Sequence, residues 1–283
     1  MTAPDGGAWT ASRNADLLQG ARPVGRDAAA PLGRLDRLIA RLPAAEEVSA
    51  DETARLLRQA QGGRAGRAWT LAFVNAHAVN LCARSREALA AFDAADLVLR
   101  DGSGMAILMR WAGRRPGANA NGTDLIPRLA LAPGARVALY GARPGVAEAA
   151  AKELRARGGA PVAARHGFHP MEAYEAWIRE DAAKGATLVV LGFGAPRQEA
   201  LARRLRAAAP DGVGIVCGGA ILDFMAGRVP RAPRWMRRIG VEWVWRLGLE
   251  PRRLFRRYVI GNPLFLWRAR GIARRLRQAG GDG

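Results

Sequence analysis

Residues 213–267 read VGIVCGGAILDFMAGRVPRAPRWMRRIGVEWVWRLGLEPRRLFRRYVIGNPLFLW. Val213–Cys217 is a short apolar run that ends at Gly218-Gly219, the pattern of a buried strand entering a glycine turn. The chain then changes character and becomes a basic, tryptophan-rich tail with helical spacing. From Arg228 to Gly283 there are 15 Arg and no Lys against Glu242, Glu250 and Asp282, which gives 15 − 3 = +12 in 56 residues. The first 227 residues carry 29 − 22 = +7, so most of the formal +19 lies in the last fifth of the chain. Charge clustered at one end implies anionic partners: nucleic acid, anionic lipid or substrate phosphates.

Upstream of this stretch, short apolar runs alternate with amphipathic ones. Strands are expected at Trp69–Val74, Ala95–Leu99, Arg136–Tyr140, Val162–Ala164, Thr187–Leu191 and Val213–Cys217. Helices are expected at Val79–Phe92, Met105–Trp111, Thr123–Leu131 (capped by Thr123 or Asp124), Val146–Arg157, Met171–Lys184 and Gln198–Ala208. Continuous apolar strands separated by helices specify an α/β fold, a mostly parallel Rossmann-like sheet flanked by helices. The basic helical C-terminal appendage follows this sheet. Residues 1–33 read as a flexible lead, 34–227 as a nucleotide-binding α/β body and 228–283 as the appendage. Before the first strand, Leu35, Leu38, Ile39 and Leu42 recur at helical spacing. A second short helix has Ser49 or Asp51 as its cap, and Gly62, Gly63 and Gly66 break the chain after it.

With 49% hydrophobic and 24% charged residues, the composition is globular and excludes wholesale disorder. Cys82 and Cys217 read as buried small hydrophobes in a reducing compartment rather than as a disulfide, and His77, His166 and His169 form no ligand pattern with them. The amino terminus has no signal-peptide pattern, and no run reaches the roughly 18–20 apolar residues that span a bilayer. The expected location is cytoplasmic, with peripheral attachment at a membrane.

In parallel sheets ligands bind at the carboxyl ends of strands. Here those ends carry Asn75, Asp101, Gly141, Gly192 and Gly218, with the loop Gly141-Ala-Arg-Pro-Gly145 after the third strand. Glycines there let backbone N–H groups approach a phosphate. Asp101, in VLRDGSG, is placed either to take a proton from a sugar hydroxyl or to cap the next helix. His77 is an acid/base or binding group, or else a satisfied structural histidine. Gln198 binds a sugar or base through its amide, or is a solvated helix residue. In the tail, Arg246, Arg253 and Arg256 are spaced by seven and three, which puts them on one helix face, although Pro251 interrupts a continuous helix. Guanidinium forks suit phosphate. Trp235, Trp243, Trp245, Leu254, Phe255, Tyr258 and Trp267 lie beside these charges. They either form an interfacial membrane helix or dock the tail onto the body.

Several segments resemble the WecG/TagA/CpsF bacterial glycosyltransferases, family 26: VNAHAVNL, ADLVLRDGSGMAIL, NGTDLIPRL, LYGARPGVAEAAAKEL, VVLGFGAPRQE and the long stretch from GGAILDFM to GNPLFLW. The resemblance covers roughly Trp69 to Trp267. It implies inverting transfer of a sugar, of the N-acetylmannosamine type or a related uronic acid, from a UDP-sugar to a polyprenyl-diphosphate-linked saccharide in cell-surface or exopolysaccharide synthesis. It further implies that Asp101 is the catalytic base. Asn75 and Gln198 would line the pocket, and Arg246, Arg253 and Arg256 would close over the active site. With His77, Asp124, Gly141, Gly145, Gly192, Gly218 and Asp223, these residues make up the expected substrate-binding set. No metal site or cofactor is expected, the UDP-sugar being a substrate. The expected partners are that donor, the lipid-linked acceptor, an anionic membrane surface at the inner face of the cell membrane and a homo-oligomer, with no nucleic acid. The sequence departs from the family pattern at Phe73, where a threonine-like residue is usual. A different class of reading is an NAD(P)-dependent oxidoreductase, but the first strand–turn lacks GxGxxG. A third is a non-catalytic module that binds anionic membrane or nucleic acid.

Overall fold

The computed structural model describes residues 32–42, 67–117 and 119–280. The expected lead before residue 32, the short helix after Ser49 or Asp51 and the glycine break at 62–66 lie outside the described residues. In chain order the elements are α1 (Leu32–Ala40), β1 (Trp69–Val74), α2 (Ala76–Cys82), α3 (Arg86–Asp93), β2 (Leu97–Arg100), α4 (Ser103–Trp111) and α5 (Gly122–Ala130). Next come β3 (Arg136–Gly141), α6 (Val146–Ala156), β4 (Ala160–Arg165), α7 (Met171–Ala183), β5 (Leu188–Gly192), α8 (Arg197–Ala208), β6 (Gly214–Cys217) and α9 (Ile221–Met225). The arm contains α10 (Arg234–Arg238), α11 (Glu242–Leu249), α12 (Pro251–Phe255), a π-helical turn (Arg256–Ile260) and α13 (Gly261–Gly280).

The six strands form one sheet in the order β2-β1-β6-β5-β3-β4, and every neighbouring pair is parallel. Both faces are covered, which explains why the strands read as unbroken apolar runs. Ala72, Val74, Ala138, Tyr140, Val189, Leu191, Ile215 and Cys217 face a core shared with α1, α2, α3, α4, α7, α8 and α13. Their alternates Leu71, Phe73, Val137, Leu139, Val190 and Val216 face a second core under α5, α6 and α9. The fold expected from the sequence, a parallel α/β sheet followed by a helical tail, is therefore present.

Local chemistry moved some boundaries. The single helix expected at Val79–Phe92 is two helices, because Ser85 is extended (φ −135°, ψ 123°) and accepts the Ala88 N–H to start α3. The cap of α5 is Asn121, not Thr123 or Asp124: its side-chain oxygen accepts the Asp124 N–H at 2.9 Å. Strand β4 is six residues long because its backbone pairs with β3 from Arg136↔Ala160 to Tyr140↔Arg165, although its side chains are only partly apolar.

The arm is packed onto the body. Phe265, Ala269 and Ile272 of α13 are fully buried in the first core, and Leu254 of α12 is buried as well. Each large apolar side chain so buried contributes about 1.5–3 kcal/mol. The polar ties are Ser103 Oγ to the Gly240 carbonyl (2.9 Å), Asn80 Nδ2 to the Gly261 carbonyl (2.7 Å), and Arg275 Nε to Asp36 of α1 (2.7 Å). Partly exposed ion pairs add about 0–1 kcal/mol each, so apolar burial does more than they do to hold α13 in place. Pro251 stands at the first turn of α12, where its missing N–H costs no hydrogen bond, and it divides α11 from α12 as expected. No helix among the described residues is long and apolar enough to cross a membrane.

Candidate active site

A cavity of about 330 Å³ opens where the ends of β1 and β2 meet the arm. The body contributes Asn75, His77, Asp101 and Asn119, and the arm contributes Arg237, Glu242, Trp243, Arg246, Arg257 and Tyr258. Strand pairing brings Asn75 and Asp101 together: Val74 is in register with Arg100, so the next residue on each strand emerges side by side. Asn75 Nδ2 donates to Asp101 Oδ2 at 3.1 Å, while Asn75 Oδ1 accepts the Ala78 N–H and caps α2. The turn after Asp101 is held from below. Arg100 is buried and its guanidinium donates to the carbonyls of Pro116, Gly102 and Gly117 at 2.9–3.0 Å. Asn119 Oδ1 accepts the Gly102 N–H at 2.9 Å. Asp101 does not cap α4, whose N-cap is Gly102 with no side-chain bond.

Burial raises the Asp101 carboxyl above its ordinary range, against the pull of the Asn75 hydrogen bond and of Arg257, Arg100 and Arg246. A base with a raised pKa is better matched to a sugar hydroxyl near neutral pH. His77 moves the other way: burial, then Arg257 and Arg84, lower it to about 4, so its imidazole is neutral at pH 7. It can donate or accept a hydrogen bond in the cavity, but it is not an imidazolium general acid at that pH. Burial also raises Glu242, with Asp124 and Asp101 adding to the shift and Arg231 and Arg237 opposing it.

Of the expected site residues, the structure gathers Asn75, His77, Asp101 and Arg246 around this cavity. The others lie elsewhere. Asp124 ties down the arm: its Oδ1 accepts from Arg231 Nη2 at 2.9 Å and its Oδ2 from Asn121 Nδ2 at 2.8 Å. Gln198 is buried, and it spends its amide on the protein, accepting the Gly219 N–H and donating to Glu199, both at 2.8 Å. Glu199 is raised to about 7 by its burial. Gly141 and Gly192 let adjacent strand ends close up, since a Cβ on Gly141 (φ +128°) would meet Gly192 backbone at 2.6 Å. A Cβ on Gly218 would strike Ile221 in the same way. Gly145 is the left-handed N-cap of α6. Asp223 lies in the first turn of α9, away from the cavity lining, with its carbonyl accepting the Arg228 N–H at 2.9 Å.

The spacing of Arg246, Arg253 and Arg256 suggested one shared face, but only Arg246 lines the cavity. Arg253 pairs with Glu250 at 2.5–2.6 Å on the outside, and Arg256 is exposed. Arg257 was missed. The usable signal was the buried face running through Leu254 and Phe265, not the intervals among the arginines. Phe73, the departure from the family pattern, is buried in the second core against Gly122, and its side chain does not line the cavity.

A family model described as the Glycosyl transferase WecG/TagA/CpsF family matches residues 40–279. The chain belongs to this family. The match runs through the sheet, both halves of the cavity and the arm up to the last turn of α13. A glycosyltransferase of this family acts on a sugar donor and a saccharide acceptor, so the oxidoreductase and the non-catalytic readings give way. Among the described residues, no three His, Cys, Asp or Glu side chains are grouped so as to hold a metal ion. The cavity lining holds two carboxyls, Asp101 from the body and Glu242 from the arm, together with the guanidinium groups of Arg237, Arg246 and Arg257.

Proposed function

We propose that this glycosyltransferase moves a sugar, of the N-acetylmannosamine type or a related uronic acid, from a UDP-sugar to a polyprenyl-diphosphate-linked saccharide, with inversion and without a metal. The observation that carries this reading is the Asp101 carboxylate standing in one cavity with Arg246 of the arm, in a chain of this family. In the proposed step, an acceptor hydroxyl oxygen forms a bond to the donor's anomeric carbon and Asp101 takes the hydroxyl proton. The carbon–oxygen bond to the nucleoside diphosphate breaks, and its electron pair leaves with the diphosphate. Negative charge grows on that leaving group, and Arg246 is positioned to stabilise it. Asn75 holds Asp101 in orientation, and Trp243 and Tyr258, with rings 5.9 Å apart, wall the cavity on the arm side.

The arm also supports a peripheral seat on the inner face of the cell membrane. Eight of the ten exposed large apolar side chains among the described residues lie on it, including Trp235, Ile239, Phe255, Ile260 and Trp267. Arginines surround them, the combination that favours an anionic lipid surface. In this arrangement residues 228–283 act as an appendage that both closes the site and meets the membrane.

The test is a screen of UDP-sugars against a synthetic polyprenyl-diphosphate-sugar acceptor, with the product linkage determined. Transfer from one donor, lost in Asp101→Ala with the fold retained, is the expected result. Turnover that persists in Asp101→Ala would remove Asp101 as the base.

A further inference from the structure

Sugar hydroxyls and amide N–H groups are donors, so a cavity that takes a saccharide out of water must supply acceptors for them. Of the groups lining the cavity at the ends of β1 and β2, the guanidinium groups only donate. Three amide oxygens are already taken by backbone: Asn75 Oδ1 accepts the Ala78 N–H at 3.0 Å, Asn119 Oδ1 the Gly102 N–H at 2.9 Å and Asn121 Oδ1 the Asp124 N–H at 2.9 Å. The strongest acceptors are the two carboxyls, and one oxygen of Asp101 already receives Asn75 Nδ2. Glu242, which opens α11, is in a different state. Its side chain is partly buried, and the one cation within ion-pair distance among the described residues is Arg231, with Nε 3.5 Å from Oε1. That contact is not a hydrogen bond: Arg231 Nε has no hydrogen-bond partner, while Nη2 of the same group donates to Asp124 at 2.9 Å. Glu242 therefore stands in the cavity with its charge offset and its acceptor capacity open.

We propose that Glu242 is a specificity-determining residue of this site, whose carboxylate accepts a hydrogen bond from a non-reacting hydroxyl or amide N–H of a saccharide bound in the cavity. This rests on the glycosyltransferase reading above and adds to it a group that recognises the sugar, as distinct from the group that takes the reacting proton. A charged acceptor makes a stronger hydrogen bond than a neutral one, and a site built around it rejects an analogue that lacks the donor. Because Glu242 belongs to the arm and Asp101 to the body, a saccharide that meets both spans the seam between them. Two saccharides enter the proposed reaction, the donor sugar and the sugar of the lipid-linked acceptor. The chemistry they share is the neutral hydroxyl or amide donor that each presents.

The experiment is calorimetry on the full chain, in the parent, Glu242→Ala and Glu242→Gln. The ligands are UDP, UDP-N-acetylmannosamine, its uronic-acid counterpart, farnesyl diphosphate and a farnesyl-diphosphate-linked N-acetylhexosamine. Melting temperatures and hydrogen exchange over residues 228–241 establish that each variant is folded with its arm docked. The quantity read is the affinity gained from the sugar, the ratio of Kd for a bare diphosphate to Kd for its glycosylated form. Glu242→Ala should cut that gain about tenfold or more for the donor pair or the acceptor pair. Glu242→Gln should recover part of it, since the amide oxygen still accepts. The bare diphosphates should bind Glu242→Ala no more weakly than the parent, because losing a carboxylate leaves the cavity more positive. Loss in the UDP pair assigns the contact to the donor sugar, and loss in the farnesyl pair assigns it to the acceptor; both support the proposal. Weakening of every ligand together would show a structural role through Arg231 and overturn it. So would a folded Glu242→Ala protein that keeps the parent's gain in both pairs, and the glycosyltransferase reading would then still stand. A parent that gained nothing from any of these sugars and transferred none would end that reading and the proposal with it.

Discussion

Asn75 Nδ2 donates to Asp101 Oδ2 across the ends of two adjacent parallel strands, while its own Oδ1 caps α2. One side chain thus fixes both the carboxylate and the helix behind it. Asn75→Ala removes the donor that pulls the Asp101 pKa down, so the acid limb of the pH–rate profile should move to higher pH. Transfer should fall by on the order of tenfold to a hundredfold as the base loses its orientation. The lost cap should cost about 0.5–2 kcal/mol in denaturant unfolding. An unmoved acid limb would show that Asn75 does not tune Asp101.

Because burial raises the Asp101 pKa, the folded chain holds that proton more tightly than the unfolded chain does. The stabilisation from this proton is complete below the unfolded value of 3.8 and is lost as pH rises through the higher folded value. Asp101→Asn carries no charge at any pH. It should therefore melt at a higher temperature than the parent at pH 7 while losing about 10²–10⁴-fold in transfer rate. Thermal scans at pH 4 and pH 7 check this, and the gain should be confined to the higher pH.

His77, lowered to about 4, has the opposite linkage. The unfolded chain binds its proton first, so stability should fall as pH drops from about 6.5 towards 4. His77→Asn should remove that part of the pH dependence. If His77 acted by donating a proton, activity would instead collapse above pH 5, and a profile that stays high at pH 7 to 8 would speak against that role.

Asp124 joins α5 to the arm through Arg231, with Arg237 3.8 Å away. The pair is half exposed, so Asp124→Ala should change global stability by no more than about 1 kcal/mol. Its effect should be local: faster proteolysis and hydrogen exchange in residues 228–241, and a higher KM if the arm must be docked for substrate to bind. Protection equal to the parent would show that apolar packing alone holds this end of the arm.

Ile260 and Trp267 are 53% and 69% exposed on the arm. The double substitution Ile260→Ser, Trp267→Ser should leave the fold intact and reduce binding to anionic liposomes by about tenfold or more, since each buried apolar side chain is worth about 1.5–3 kcal/mol. Co-sedimentation at two salt concentrations separates this apolar contribution from that of the arginines.

The sheet was legible in the sequence because a strand buried on both faces must be apolar at every position, as in Thr187–Leu191 and Val213–Cys217. Asp101 and Asn75 were legible because ligands gather at strand ends, and these two follow β2 and β1. Caps such as Asn121 and Ser85 were not found, since several polar residues stood close enough in sequence to do the same work.

The sequence by itself determined the layered parallel sheet, the basic arm and the carboxylate at position 101, because each is set by residue type and local order. Tertiary structure alone decided which arginines face the cavity. Inward direction on a helix depends on what the opposite face buries and on where the helical period is broken. Here Leu254 and Phe265 fix the buried side and the π-helical turn brings Arg257 into it, while Arg253 and Arg256 remain outside.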